Sequence, residues 1–553
     1  MAYDIVFSGG TVVDGSGEAP RRADVGVTGD RIAAIGDLSA AQAGERIDCT
    51  GRAIAPGFID IHTHYDPQIL WDANLTPSSW YGVTTVILGN CGFTVAPMRP
   101  ETRKSCIEML GNVEAMSVKA LEEGISWEFE TFAEYLAAVE RRKPLLNVGV
   151  MVGHTTLRMH EMGEDTQRAA TDAEVRGMRH QLDLAMQAGA WGLSTSKSPA
   201  QVGAGGRPVA SRLAEFSELF EISGALADAK AGVIQGVGGP GLGIPQWAQL
   251  SRRSGRPVTW CSLHQGVDGG RHWEYSRATA EARSEGADLW AQMTCMANNA
   301  QFMLRTPYIL NGVPAFGRIA GLPHEERLAI LSDKAWQKEA QRQIDANEEK
   351  RSFQIRWDRV YLKETSVHHA LVGKTVAEIA ASLNRPPLEA LVELSRAEDL
   401  NTRFKLILFN YDEDEVAKLL AQDSSILGLG DAGAHASQLC DGSFPMRLLG
   451  HYVRERRDFP LEFGVWRLSG HPASVYGIKE RGLVRNGYFA DLCVFDPQTI
   501  AEGPEQRVYD LPAGADRLIK EPIGIDHVLV NGKFIKRAGR NLPGAQCGRV
   551  LRP

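Results

Sequence analysis

Two hydrophobic rhythms divide the chain. Over the first ~56 residues, apolar and polar positions alternate between Gly-rich turns, as in IVFSGGTVVDG and ADVGVTGDRIAAIGD, the period of half-buried strands. The last ~75 residues, with GLVRNGYFADLCVFD and HVLVNGKFIKRAG, alternate in the same way. Between them, short apolar runs recur with helical patterns such as DAEVRGMRHQLDLAMQAG and SELFEISGALADAKAG. Eight runs are candidate strands: 57–64, 84–92, 146–154, 191–197, 232–238, 258–265, 289–295 and 426–435. Strand alternating with helix is the pattern of a parallel α/β sheet, and eight such units predict a (β/α)8 TIM-like barrel. The expected organisation is a barrel over residues 57–475, with 1–56 and 476–553 as two halves of one split β domain. Residues 296–403 are too long for an ordinary connection and are expected to be an insertion, a lid or a substrate-selecting subdomain. That stretch includes RTPYILNGVPAF and a charged helix near KAWQKEAQRQIDANEEKR, and 98–135 is a smaller insertion.

Composition narrows the functional classes. With 43% hydrophobic and 23% charged residues, the chain can build a large core. A net charge of −8, spread along the sequence, favours neither nucleic acid nor an anionic membrane surface. No apolar stretch is long enough to span a bilayer, and the N-terminus lacks a basic-then-apolar leader. The eight cysteines are scattered, as expected of free thiols in a reducing cytoplasm.

In such a barrel the chemistry sits at the C-terminal strand ends. His62 and His64 close the first run, GFIDIHTH; two residues apart on a strand, their imidazoles face one side. Neutral imidazole is a natural Zn²⁺ ligand, so the pair is read as the seed of a metal site. Asp431, in LGLGDAGAH toward the end of the last run, suits a metal ligand and general base; a turn aspartate is the plain alternative. His435 has three readings: support to a ligand, contact with substrate, or a structural role. No nucleophile elbow surrounds Ser437, His435 and Asp441, and GVGGPGLG lacks the ending of a phosphate-binding loop.

APGFIDIHTHYD, with an aspartate after the last strand, resembles the amidohydrolase superfamily. More narrowly, LTPSSWYGVTTVILGNCGFTVAP, GHTTLRMHEMG, GLSTSK, LGDAGAH and HPASVYGIKERGLVRNGYFADLCVFD look like the N-acyl-D-amino-acid deacylase (D-aminoacylase) branch. The resemblance implies a (β/α)8 barrel with a small β-sandwich made from both termini, zinc (one or two ions), and hydrolysis of an amide or related bond. It also implies that Cys91, in GNCG, is a zinc ligand; a buried structural cysteine is the alternative. The superfamily usually supplies a histidine from each of the fifth and sixth strands. Here the fifth carries Gln235 and no histidine, and in the sixth His264 is displaced by about two residues, leaving it as metal ligand or substrate contact. In hydantoinase-like relatives a fourth-strand lysine is carbamylated and bridges two metals. Lys197 has that reading beside two others, a substrate carboxylate contact and a solvated rim position.

His154, ending the third run, is placed to hydrogen-bond the scissile carbonyl oxygen or to support a ligand. Arg158 and Arg447 are candidates for a substrate carboxylate, with solvation of a helix face as the alternative for Arg158. The leading expectation is zinc-activated hydrolysis of a small N-acyl amino acid or related N-acyl compound, with Asp431 moving the proton. Two rivals stand beside it: the same fold acting on a lactone, cyclic amide or other C–N or C–C bond of an apolar substrate, and a non-catalytic binding protein on a decayed barrel. Barrels of this kind often form homo-oligomers.

Overall fold

A computed structural model describes residues 2–553 except 306, 312, 320, 321 and 347–354. All eight expected runs contain a strand: β1 Phe58–Asp60, β2 Val83–Leu88, β3 Asn147–Gly153, β4 Gly192–Ser196, β5 Val233–Val237, β6 Val258–Cys261, β7 Leu289–Met293 and β8 Ser425–Leu427. They pair in chain order, every neighbour parallel. Nearly every residue in them is buried, because parallel strands are covered on both faces. The ring closes just beyond the C-terminal ends of β1 and β8, where Thr63 bridges Ala432 in parallel. Across that seam His64 N donates to Ala432 O at 2.8 Å and Asp431 N to His62 O at 3.1 Å, while Thr63 N reaches Ile87 O of β2 at 3.1 Å. The fold is the expected barrel, and its closing hydrogen bonds involve the same residues that sequence reading singled out for chemistry.

The chain's two ends build the β-sandwich. Ala53–Pro56 pairs antiparallel with Leu492–Phe495 inside a seven-stranded sheet drawn from both termini. A four-stranded N-terminal sheet runs in the order Arg31–Gly36, Asp24–Thr28, Ala2–Ser8, Gln42–Asp48. The alternating residues Phe7, Val25, Val27 and Ile54 meet Leu492, Val494 and Leu529 in one core. A buried polar node ties this sandwich to the barrel. Asp491 Oδ2 pairs with Arg481 and accepts from Asn147 Nδ2 of β3 at 3.0 Å. Its Oδ1 accepts from Asn531 N at 2.7 Å, and Arg481 Nη2 donates to Asn531 Oδ1 at 2.8 Å.

Barrel and sandwich form one compact unit; a second comprises 264–273 and 296–416. The second has a three-stranded antiparallel sheet in the order Asn298–Phe302, Arg403–Phe409, Val360–Glu364. Its own core includes Phe302, Phe316, Ile344, Leu362, Leu391 and Phe404. The charged segment expected to be helical is a helix over Lys334–Asp345. Its last residues, 347–351, and positions 306 and 312 of RTPYILNGVPAF lie outside the described residues. Among the described residues no helix is long and apolar enough to cross a membrane. All eight cysteines are free and buried.

Asp491→Ala tests the polar node. It strands a buried guanidinium, so chemical denaturation should show a loss of about 3–5 kcal/mol; an unchanged unfolding midpoint would show that the node does not join sandwich to barrel.

Candidate metal centre

His62 is fixed from behind by two strands and a helix. Gln292, on β7, donates through Nε2 to Thr259 Oγ1 of β6 and to Tyr476 Oη, each at 2.9 Å. Its Oε1 is thereby turned toward His62 Nδ1 at 2.7 Å. A carbonyl oxygen there requires Nδ1 to carry the proton, which leaves Nε2 as the coordinating atom. That atom faces Asp431 Oδ1 at 3.3 Å and Cys91 Sγ at 3.3 Å. His64 Nε2 lies 3.8 Å from the same Asp431 oxygen.

These spacings fit a metal. Zinc bonds of about 2.0–2.3 Å in a tetrahedron place neighbouring N, O and S ligand atoms about 3.3–3.5 Å apart. His62, His64 and Asp431 offer ligand atoms all within 4.8 Å of one another, and so do His62, Cys91 and Cys261. Neutral nitrogen, carboxylate and sulfur are the donors Zn²⁺ takes.

The main chain delivers these groups. Cys91, at the end of the β2 run, has φ 57°, and its N donates to Gln235 Oε1 at 2.7 Å. Asp431 has φ 44°, and Gly433 follows at φ 98°. A Cβ on Gly433 would lie 2.6 Å from His64 O, so only glycine lets this loop run against the H-x-H backbone. His62 and His64 side chains are 1% and 3% exposed against 27% for Asp431, so the carboxylate is the solvent-facing member. A small cleft opens beside it, lined in part by Gln68, Pro77, Asp441 and Arg517.

Electrostatics separates the two imidazoles. Burial disfavours charge on His62, but the Cys91 sulfur and the Asp431 carboxylate outweigh it and raise its pKa to about 9. For His64, burial and then the neighbouring His62 hold the pKa down at about 3. Burial pushes the carboxyl of Asp60, which accepts from His62 N at 3.1 Å, up to about 7. Glu114 is buried between His64 Nδ1 and His435 Nε2, 3.7 Å from each, and burial first, then Asp431, raises its pKa well above the usual range.

The other sequence candidates have separate surroundings. His154 lies between Thr195 Oγ1 at 2.9 Å and Glu218 Oε1 at 2.8 Å, and Arg158 pairs with the other oxygen of Glu218. Arg158 is fully buried and also donates to Arg168 O, so its charge is matched inside the protein. Lys197 Nζ donates to the carbonyls of Arg212 and Ala214. His264 falls in the second unit, where its ring stacks on Phe409 at 5.6 Å. Arg447 opens the helical segment Arg447–Glu455 with its guanidinium 5.9 Å from the Tyr452 ring. Gln292, Glu114, Glu218 and the thiol of Cys261 were not singled out for chemistry from sequence. Gln292 did carry a signal: a polar residue inside the apolar run LWAQM.

Residues 45–535 match the amidohydrolase family. The chain is 33% identical over 564 residues to D-aminoacylase of Alcaligenes xylosoxydans xylosoxydans, covering 99% of this chain and 97% of that one. A solved D-aminoacylase structure with a binuclear metal centre superposes with a TM-score of 0.68 at 29% identity over the whole of both chains. N-acyl-D-glutamate deacylase from Bordetella bronchiseptica, solved with zinc and a phosphonate mimic of the tetrahedral intermediate, also superposes at 0.68, with 27% identity and full coverage of both chains.

Two outcomes follow from the His62 environment. Gln292→Leu leaves Nδ1–H without an acceptor; it should cost about 1–3 kcal/mol and weaken metal affinity about 10–100-fold, read by denaturation and chelator competition. In metal-free protein His62 should keep its proton up to about pH 9, which imidazole NMR titration would show. Its folded pKa is raised, so its contribution to stability is full below the unfolded value of about 6.5 and disappears as pH rises through about 9.

Proposed function

The chain belongs to the amidohydrolase family, and from that premise we propose that it is a zinc-dependent hydrolase of small N-acyl amino acids, with N-acyl-D-amino acids as the substrate class. The observation that carries the reading is His62 Nε2 facing Asp431 Oδ1 and Cys91 Sγ, each at 3.3 Å. His62, His64, Asp431 and Cys91 are the residues that would hold the ion. Zinc held there would make a bound water acidic enough to lose a proton near neutral pH and would polarise the acyl carbonyl.

The chain's own groups do the rest. Asp431, the most exposed of the set, accepts the proton that water loses as its oxygen attacks the acyl carbon. It returns that proton to the amide nitrogen as the C–N bond breaks, giving a carboxylic acid, which then ionises to the solvent, and a free amine. Gln292 keeps the His62 ring and tautomer fixed. His154 stands as a structural support through Glu218 rather than as a contact to the scissile carbonyl. The D-selective relatives are what support the stereochemical half of the reading.

Assay of N-acetyl-D- against N-acetyl-L-amino acids tests the substrate class: turnover of the D-series supports it, and none with either series while the zinc-loaded protein opens lactones or cyclic amides sinks it. His62→Ala should abolish stoichiometric zinc by elemental analysis, and His64→Ala should weaken zinc binding in chelator competition; unchanged binding would remove either as a ligand. Asp431→Asn should keep the fold and lower kcat about 10²–10⁴-fold; near-normal kcat would remove it as proton carrier.

A further inference from the structure

His62, Cys91 and Cys261 form a compact, wholly buried group whose three ligand atoms lie within 4.8 Å of one another. Cys91 follows β2 and Cys261 ends β6, strands that are not neighbours in the sheet, so the two sulfurs converge across the barrel interior. Gln235 on β5 holds both. Its Oε1 accepts from Cys91 N at 2.7 Å, and its Nε2 donates to Cys261 Sγ at 3.0 Å. The proposed hydrolysis gives Cys261 no part, and the two thiols are not joined in a disulfide.

We propose that Cys261 is a second thiolate ligand, so that His62, Cys91 and Cys261 make a sulfur-rich cation position beside the His62–His64–Asp431 one. The proposal rests on the metal-hydrolase reading above and says which ion the site prefers. Two cysteines and a histidine hold zinc with a fourth position open. Two thiolates cancel the charge of a dication, which a buried site with few solvent contacts needs. Thiolates select zinc, cadmium or cuprous ions over magnesium or manganese. His62 Nε2 has one lone pair and serves one ion at a time. An ion held by His62 and Cys91 therefore draws its remaining ligands more from Cys261 the softer it is, and more from His64 and Asp431 the harder it is.

The test is cobalt and zinc loading of metal-depleted protein. X-ray absorption of the zinc-loaded wild-type protein should show two sulfur neighbours at about 2.3 Å, a readout that needs no variant to fold. The near-ultraviolet thiolate-to-cobalt band should fall by about half in Cys261→Ser and again in Cys91→Ser, in step with the number of sulfurs bound. Manganese should bind more weakly than cobalt to wild type, and Cys261→Ser should narrow that gap. A single sulfur neighbour, with the cobalt band lost in Cys91→Ser and unchanged in Cys261→Ser, would overturn the proposal and leave the hydrolase reading standing. Failure of wild type to bind either ion would overturn both.

Discussion

The site depends on how the barrel closes. Only one parallel bridge, Thr63 with Ala432, joins the first strand's extension to the segment after the last. Each flanking hydrogen bond contributes about 0.5–1.5 kcal/mol net, so the seam matters for position more than for stability. His62 O accepts from Asp431 N, and His64 N donates to Ala432 O. The register that closes the ring is thus the register that sets a carboxylate against two imidazoles. Left-handed backbone at Asp431 and Gly433 makes the turn tight enough for it.

Behind the seam, a polar network crosses an otherwise apolar interior. Gln292 links His62 to Thr259 and Tyr476, and Gln235 links Cys91 to Cys261. Buried polar groups at fixed positions are costly unless satisfied, and here each glutamine amide uses both its oxygen and its nitrogen on neighbours that face the barrel interior. The two glutamines therefore act as struts: one sets a histidine tautomer, the other sets two sulfurs. Removing either should disturb the site without removing a ligand.

What was legible in sequence follows from what is local. His62 and His64 share the extension of one strand, and Asp431 lies toward the end of a recognisable apolar run, so periodicity alone located them. The barrel was legible for the same reason, because eight buried strands write eight apolar runs. Cys91 came from family resemblance. Cys261 and Gln292 are placed by strand pairing across the ring, which no local pattern encodes; the trace of Gln292 is its polarity inside an apolar run. His154, Arg158 and Lys197 were correctly placed at or just beyond strand ends, but their partners come from distant segments. Glu218, on the helix Phe216–Ile222, takes the first two, and the carbonyls of Arg212 and Ala214 take the third.

The most direct test of the central claim is turnover of an N-acetyl-D-amino acid as zinc is removed and returned. Dialysis against a chelator should abolish hydrolysis, and restoring zinc should recover it in proportion to the ion bound. Full turnover by protein shown to hold no metal would contradict the account.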